Sequence, residues 1–161
     1  MKNGFHLDEI DMKILDLLQN DAKLTAKTLG DRIALSQTPV YERIKKLERN
    51  GVIQKYVALL DPAKLGQNLV IFMNISLGEH RVGSREEVID SLVSLPEVSE
   101  LYQTSGRYDF LAKVRLNQIV EYRNFLVEKV AEIPNIKDID SLIVLETIKH
   151  STTLNLPVKV A

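Results

Sequence analysis

Five cations fall within twenty residues: between Ser36 and Lys55, Arg43, Lys45, Lys46, Arg49 and Lys55 face only Glu42 and Glu48, a local net charge of about +3. Cations at this density serve to neutralise a phosphate backbone. Just ahead of them stand Ser36, Gln37, Thr38 and Tyr41, polar types that hydrogen-bond to base edges. Gln37 has the shape to bridge an adenine and Arg43 a guanine, each with two hydrogen bonds. Lys45, Lys46 and Arg49 suit phosphate contacts, which set register and affinity but carry little sequence information. The same run also fits an ordinary solvated basic face, so the elements around it decide between the two readings.

Those elements read as two short amphipathic helices around a tight turn. Thr25 caps the first, in which Leu29 and Ile33 share a face; Gly30 inside it leaves room for another helix to approach closely. Leu35 anchors the turn. The second helix begins between Ser36 and Pro39, with either Ser36 or Thr38 as its cap, and buries Val40, Ile44 and Leu47. Asn50-Gly51 ends it. An earlier helix, from about Glu9 to Asn20, is capped by Asp8 and carries Ile10, Ile14, Leu17 and Leu18 inward. This is a helix-turn-helix, whose second helix lies in the major groove of double-stranded DNA. Val52–Asp61 then reads as a strand leading away, and the domain boundary falls near residues 60–66, giving domains 1–61 and 62–161.

From there the periodicity changes. Strands are expected at Val70–Leu77, Val98–Ser105, Tyr108–Leu116 and Ile136–Ile148. Between them lie a helix capped by Ser84, with Val88, Ile89, Leu92 and Val93 inward, and a helix over Ile119–Ile133, with Tyr122, Phe125, Leu126 and Val130 inward. The order βαββαβ is the ferredoxin-like plan, so the whole chain is α+β. Two helices cover one sheet face; Phe72, Leu142 and Val144 make the other partly apolar, which asks for a partner.

Other chemistries find little footing. The 161 residues contain no cysteine, which excludes disulfides and thiolate metal sites. His6, His80 and His150 share no metal-ligand spacing, and Glu86-Glu87 and Asp138/Asp140 read as solvated faces. No phosphate-cradling glycine loop or nucleophile motif appears. No cofactor and no enzymatic activity are expected. The N-terminus lacks an apolar signal segment, and no run approaches the roughly 18 apolar residues of a membrane span. The expected location is the cytoplasm, in association with the nucleoid. The net charge of −1 divides unevenly, with about −3 from residue 65 onward.

The chain resembles the Lrp/AsnC, or feast/famine, transcriptional regulators along nearly its full length. The residues that carry the resemblance are LDEIDMKILDLLQNDAK, LSQTPVYERIKKLERNGVI, LDPAKLG, TSGRYDFLAKV and SLIVLETIK. The resemblance implies a winged helix-turn-helix and a C-terminal ferredoxin-like domain that binds an effector and drives oligomerisation. It also implies homodimers that assemble to tetramers, octamers or larger rings, with a small amino acid bound between subunits. Thr104-Ser105-Gly106-Arg107-Tyr108-Asp109 reads by itself as a plain hairpin turn. By resemblance Ser105, Gly106, Arg107, Tyr108 and Asp109 become effector residues, Gly106 offering backbone N–H groups to a carboxylate and Asp109 pairing with the ammonium. Leu142, Ile143 and Val144 match family positions linked to the effector response, although ordinary sheet packing explains them equally well. A nucleoid-organising DNA-binding protein without a tuned effector is the alternative.

Overall fold

A computed structural model of the chain describes residues 6–79 and 83–157. His80 and the first five residues, on which two of the expectations above bear, lie outside the described residues. The first three helices are α1 (Glu9–Asn20), α2 (Ala26–Ile33) and α3 (Gln37–Arg49). Asp8 and Asp11 close a reciprocal capping box at the start of α1, and the Thr25 hydroxyl accepts the Thr28 N–H at the start of α2. Ile14, Leu18, Leu29, Val40 and Leu47 form the buried centre of this three-helix unit. At the end of α3 the Val52 and Gly51 N–H groups return to the Leu47 and Glu48 carbonyls, with Gly51 at φ +70°. That is the glycine stop expected from Asn50-Gly51.

Three details differ from the sequence reading. Ser36 occupies the cap position of α3, but its side chain makes no capping bond. Pro39, the third helical residue, lacks one of the two N–H groups that such a bond could use. Gly30 makes room for the α2–α3 turn rather than for a helix, since a Cβ there would collide with the Leu35 carbonyl oxygen. Finally, Val52–Asp61 is not a strand; among the described residues no wing follows α3. Tyr56, Val57, Leu59 and Leu60 along it are exposed, so this apolar stretch lacks the neighbouring strand that would satisfy its backbone.

The second unit has a four-stranded antiparallel sheet of β1 (Leu69–Leu77), β2 (Val98–Gln103), β3 (Phe110–Leu116) and β4 (Ile136–Ile143), in the order β2-β3-β1-β4. Helix α4 (Ser84–Ser94) follows β1, and α5 (Ile119–Phe125) follows β3, continuing through a π-helical turn at Leu126–Val130. Ile71, Met73, Ile75 and Leu77 of β1 and Phe110, Ala112, Val114 and Leu116 of β3 pack with Val88, Leu92, Phe125 and Val130 from the helices. The alternation expected of a half-covered sheet is therefore present in both central strands.

Here too the ends differ. Ser84 is the first residue of α4 rather than its cap; Gly83 takes that place at φ +99°, and Glu86 reaches back to accept its N–H at 2.9 Å. Val93 is exposed, and β4 stops at Ile143, with a last bond from the Val144 N–H to the Val70 carbonyl. Leu145 and Ile148 beyond it are almost fully exposed.

The chain divides into two compact units, one running to Leu59 and rejoined by the segment from Lys149 onward, the other Leu60–Ile148. The chain passes out of the helical unit after Leu59, and the residues from Lys149 are grouped with that unit. The Gln19 side chain holds this tail, donating to the Leu154 carbonyl at 3.0 Å and accepting the Leu154 N–H at 2.9 Å. Among the described residues no helix is long and apolar enough to cross a membrane.

Candidate nucleic-acid interface and effector turn

Helix α3 presents two faces of different chemistry. Val40 and Leu47 point into the core with no exposure at all, and Ile44 packs against them. Ser36, Gln37, Thr38 and Tyr41 are exposed around its N-terminal half. A groove of about 820 Å³ runs along the helix, lined by Pro39, Tyr41, Glu42, Lys45, Lys46 and Arg49, together with Asp8 and Arg43. Of the residues expected to meet DNA, Tyr41, Arg43, Lys45, Lys46 and Arg49 line this groove, while Ser36, Gln37 and Thr38 are exposed outside its lining.

The cations are not equivalent. Lys45 pairs with Glu48 at 2.8 Å and lies 5.6 Å from the Tyr41 ring centre. Such an exposed pair three residues apart is worth little and exchanges readily for a phosphate. Glu48 also accepts from the Tyr56 hydroxyl at 3.1 Å; burial and this carboxylate push the Tyr56 phenol up to about 12. Arg49 donates its Nε to the Lys45 carbonyl at 3.3 Å and stays exposed.

Arg43 departs from the sequence reading. Its Nη1 lies 2.6 Å from Asp8 Oδ2 and 2.6 Å from Asp11 Oδ1, and Asp11 is 1% exposed. Donating to these two carboxylates holds the guanidinium further into its charged range. Burial raises the Asp8 carboxyl, but the Asp11 N–H and Arg43 outweigh it and hold that carboxyl below its usual value. The guanidinium is thus turned toward the first turn of α1. The sequence reading assigned Arg43 to a guanine and did not foresee Asp8 and Asp11 as its partners within the chain.

The second candidate site is the turn between β2 and β3. The Thr104 N–H donates to the Asp109 carbonyl at 2.9 Å, and the Thr104 hydroxyl to the Tyr108 carbonyl at 2.7 Å. Ser105, Gly106 and Arg107 form an exposed tip, with Gly106 at φ +121° and open space around it. The Arg107 guanidinium stacks 5.2 Å from the Tyr108 ring centre, and the Tyr108 hydroxyl donates to Asp140 Oδ2 at 3.2 Å.

Asp109 again differs from expectation. Its Oδ2 accepts the Leu77 N–H at 2.9 Å, its own N–H donates to the Ile75 carbonyl, and Arg85 lies 3.8 Å from Oδ1. These bonds tie the turn to the end of β1 and engage both oxygens of the carboxylate expected to face an ammonium group. Leu142 and Ile143 are 56% and 46% exposed, and Val144 is half-buried. Leu142 pairs across the sheet with Phe72 and Ile143 with Ile71. Their opposite directions put Leu142 on the free face and Ile143 on the helix-covered side.

Residues 7–48 match the model of the AsnC-type helix-turn-helix domain, and residues 70–154 match that of the Lrp/AsnC ligand binding domain. The chain is 37% identical over 153 residues to the HTH-type transcriptional regulator FL11 of Pyrococcus horikoshii, covering 95% of this chain and 97% of that protein. It is 36% identical over 151 residues to the leucine-responsive regulatory protein of Escherichia coli K12, covering 94% and 92%. Among solved structures, a transcriptional regulator of Neisseria meningitidis in complex with L-Met superimposes with a TM-score of 0.90 at 32% identity, covering 94% of this chain and 98% of that one. With a helix-turn-helix presenting a basic groove, a βαββαβ partner domain and relatives alike over nearly their full length, the chain belongs to the Lrp/AsnC family of transcriptional regulators.

Proposed function

We propose that this regulator recognises specific DNA sequences controlling amino-acid metabolism and responds to a small amino acid bound between subunits. The observation that carries the DNA half is the face of α3. Ser36, Gln37, Thr38 and Tyr41 are exposed at its N-terminal end, and Tyr41, Lys45, Lys46 and Arg49 line the groove along it, a layout that suits helix N-terminal residues meeting base edges and flanking cations meeting phosphates. The working unit is a homodimer or a larger assembly of dimers, because two-fold operators need two recognition helices about 34 Å apart. The partly apolar free sheet face with Phe72, Leu142 and Val144 supplies a surface for a second copy.

The effector half rests on the exposed turn at Ser105, Gly106, Arg107 and Tyr108. Backbone N–H groups at the tip suit a carboxylate. With Asp109 bonded to Leu77 and Arg85, the exposed carboxylates Asp138 and Asp140, at the foot of Tyr108, offer the ammonium its anion. An amino acid as the effector class is supported by the Neisseria relative, which was solved with L-Met. Thermal denaturation of the full chain with each of the twenty amino acids tests this. One or a few are expected to raise the melting temperature, since a ligand at a hundred times its dissociation constant adds about 2.7 kcal/mol. No shift with any of them at millimolar concentration would contradict the effector assignment.

A further inference from the structure

We propose that Arg43 is a positioning residue: it fixes the pose of the recognition helix by clamping α3 to the capping box of α1, without touching DNA. The inference rests on the DNA-binding reading above and assigns a role in it to Arg43, Asp8 and Asp11.

The geometry starts from helical spacing. Arg43 lies three residues after Val40 and four before Leu47, so it shares the inner face of α3 with two residues that have no exposure. Asp11 lies three residues before Ile14 and seven before Leu18, on the inner face of α1. Two charges on facing core stripes must meet or remain unpaired. They meet at 2.6 Å.

All four carboxylate oxygens of the cluster are used. Asp8 Oδ1 accepts the Asp11 N–H at 2.8 Å and Asp11 Oδ2 accepts the Asp8 N–H at 3.3 Å, closing the cap. The remaining oxygens, Asp8 Oδ2 and Asp11 Oδ1, both accept from Arg43 Nη1. The first turn of α1 and the middle of α3 are thereby joined by directional bonds rather than by apolar contact alone. Apolar contacts tolerate sliding and rotation of a helix, whereas an ion pair with an inaccessible carboxylate such as Asp11 has one geometry to satisfy, whatever it adds to stability. A shift of α3 would carry Gln37, Thr38 and Tyr41 away from their base edges together.

The test uses the full chain and a duplex that it selects from a randomised pool. Affinity is measured for Arg43→Gln, Asp11→Asn and Lys46→Gln, against salt and against every single base-pair change in the selected site. Circular dichroism and a melt establish that each variant is folded at the assay temperature. Arg43→Gln and the nearly inaccessible Asp11→Asn are expected to share one phenotype: binding weaker by about tenfold or more, preference loosened at every read base pair, and an unchanged salt slope. Lys46→Gln is the contrast, losing about one unit of salt slope if it meets a phosphate. The proposal is overturned if Arg43→Gln loses preference at a single base pair or loses a unit of salt slope, or if folded Asp11→Asn binds as the parent does. Should Asp11→Asn fail to fold, Asp8→Asn replaces it, because asparagine caps a helix as well as aspartate. It is expected to loosen preference in the same distributed way, and tighter binding with a steeper salt slope would overturn the proposal. A parent chain that selects no duplex would remove the DNA-binding reading itself, and the role of Arg43 with it.

Discussion

Asp109 shows how a residue with the right charge can be consumed by the fold. Its carboxylate accepts the Leu77 N–H and faces Arg85, so removing it strands a backbone donor at the end of β1. Hydrogen bonds to charged groups contribute about 1.5–3 kcal/mol, and Asp109→Ala is expected to lower the unfolding free energy by about that amount in urea titrations. A stability unchanged within error would show the contact to be incidental. Glu100 gives a second residue-scale expectation. Hydrogen bonds from Lys113 and Tyr102 hold its carboxyl below the usual glutamate range. A carboxyl with a lowered folded value contributes stability above its ordinary pKa of about 4.3, and that contribution is lost as pH falls through the lowered value. Unfolding titrations of Glu100→Gln against the parent should therefore diverge near neutral pH and converge in acid. A difference that grows on acidification would contradict the pairing.

At the scale of elements, much was legible in the sequence because the signals were local. Asp8, Thr25 and Asn50-Gly51 mark helix ends through bonds within four or five residues, and all three act as read. The alternation in β1 and β3 fixed the sheet faces. What stayed hidden depended on partners distant in the chain. Arg43 reads as a DNA contact until Asp11, thirty-two residues earlier, is seen beside it. Yet an aspartate on the Ile14–Leu18 face was a signal, since a charge on a buried stripe demands an opposite charge. The Val52–Asp61 segment has the composition of a strand but, among the described residues, forms none. Gly30 belongs to this scale as well. Because its missing Cβ admits the Leu35 carbonyl, Gly30→Ala should open the α2–α3 turn and cost about 1–3 kcal/mol despite the better helix propensity of alanine. Thermal melts followed by circular dichroism measure this, and an increase in stability would refute the close approach.

For the whole molecule, the division of labour follows from charge and surface. The basic groove lies on the helical unit, while the sheet unit carries the acidic excess. Chain continuity runs between them twice, through the extended segment after α3 and through the tail that returns from β4 to Gln19. The central claim is that α3 reads DNA sequence. The most direct measurement is fluorescence anisotropy of the full chain on a duplex it has selected from a randomised pool, against a scrambled duplex of equal length at the same salt concentration. Sequence-specific recognition predicts binding to the selected duplex that is tighter by about a thousandfold or more, with both affinities falling as salt rises. Equal affinities for the two duplexes at every salt concentration would contradict it and leave a protein that coats DNA without reading it.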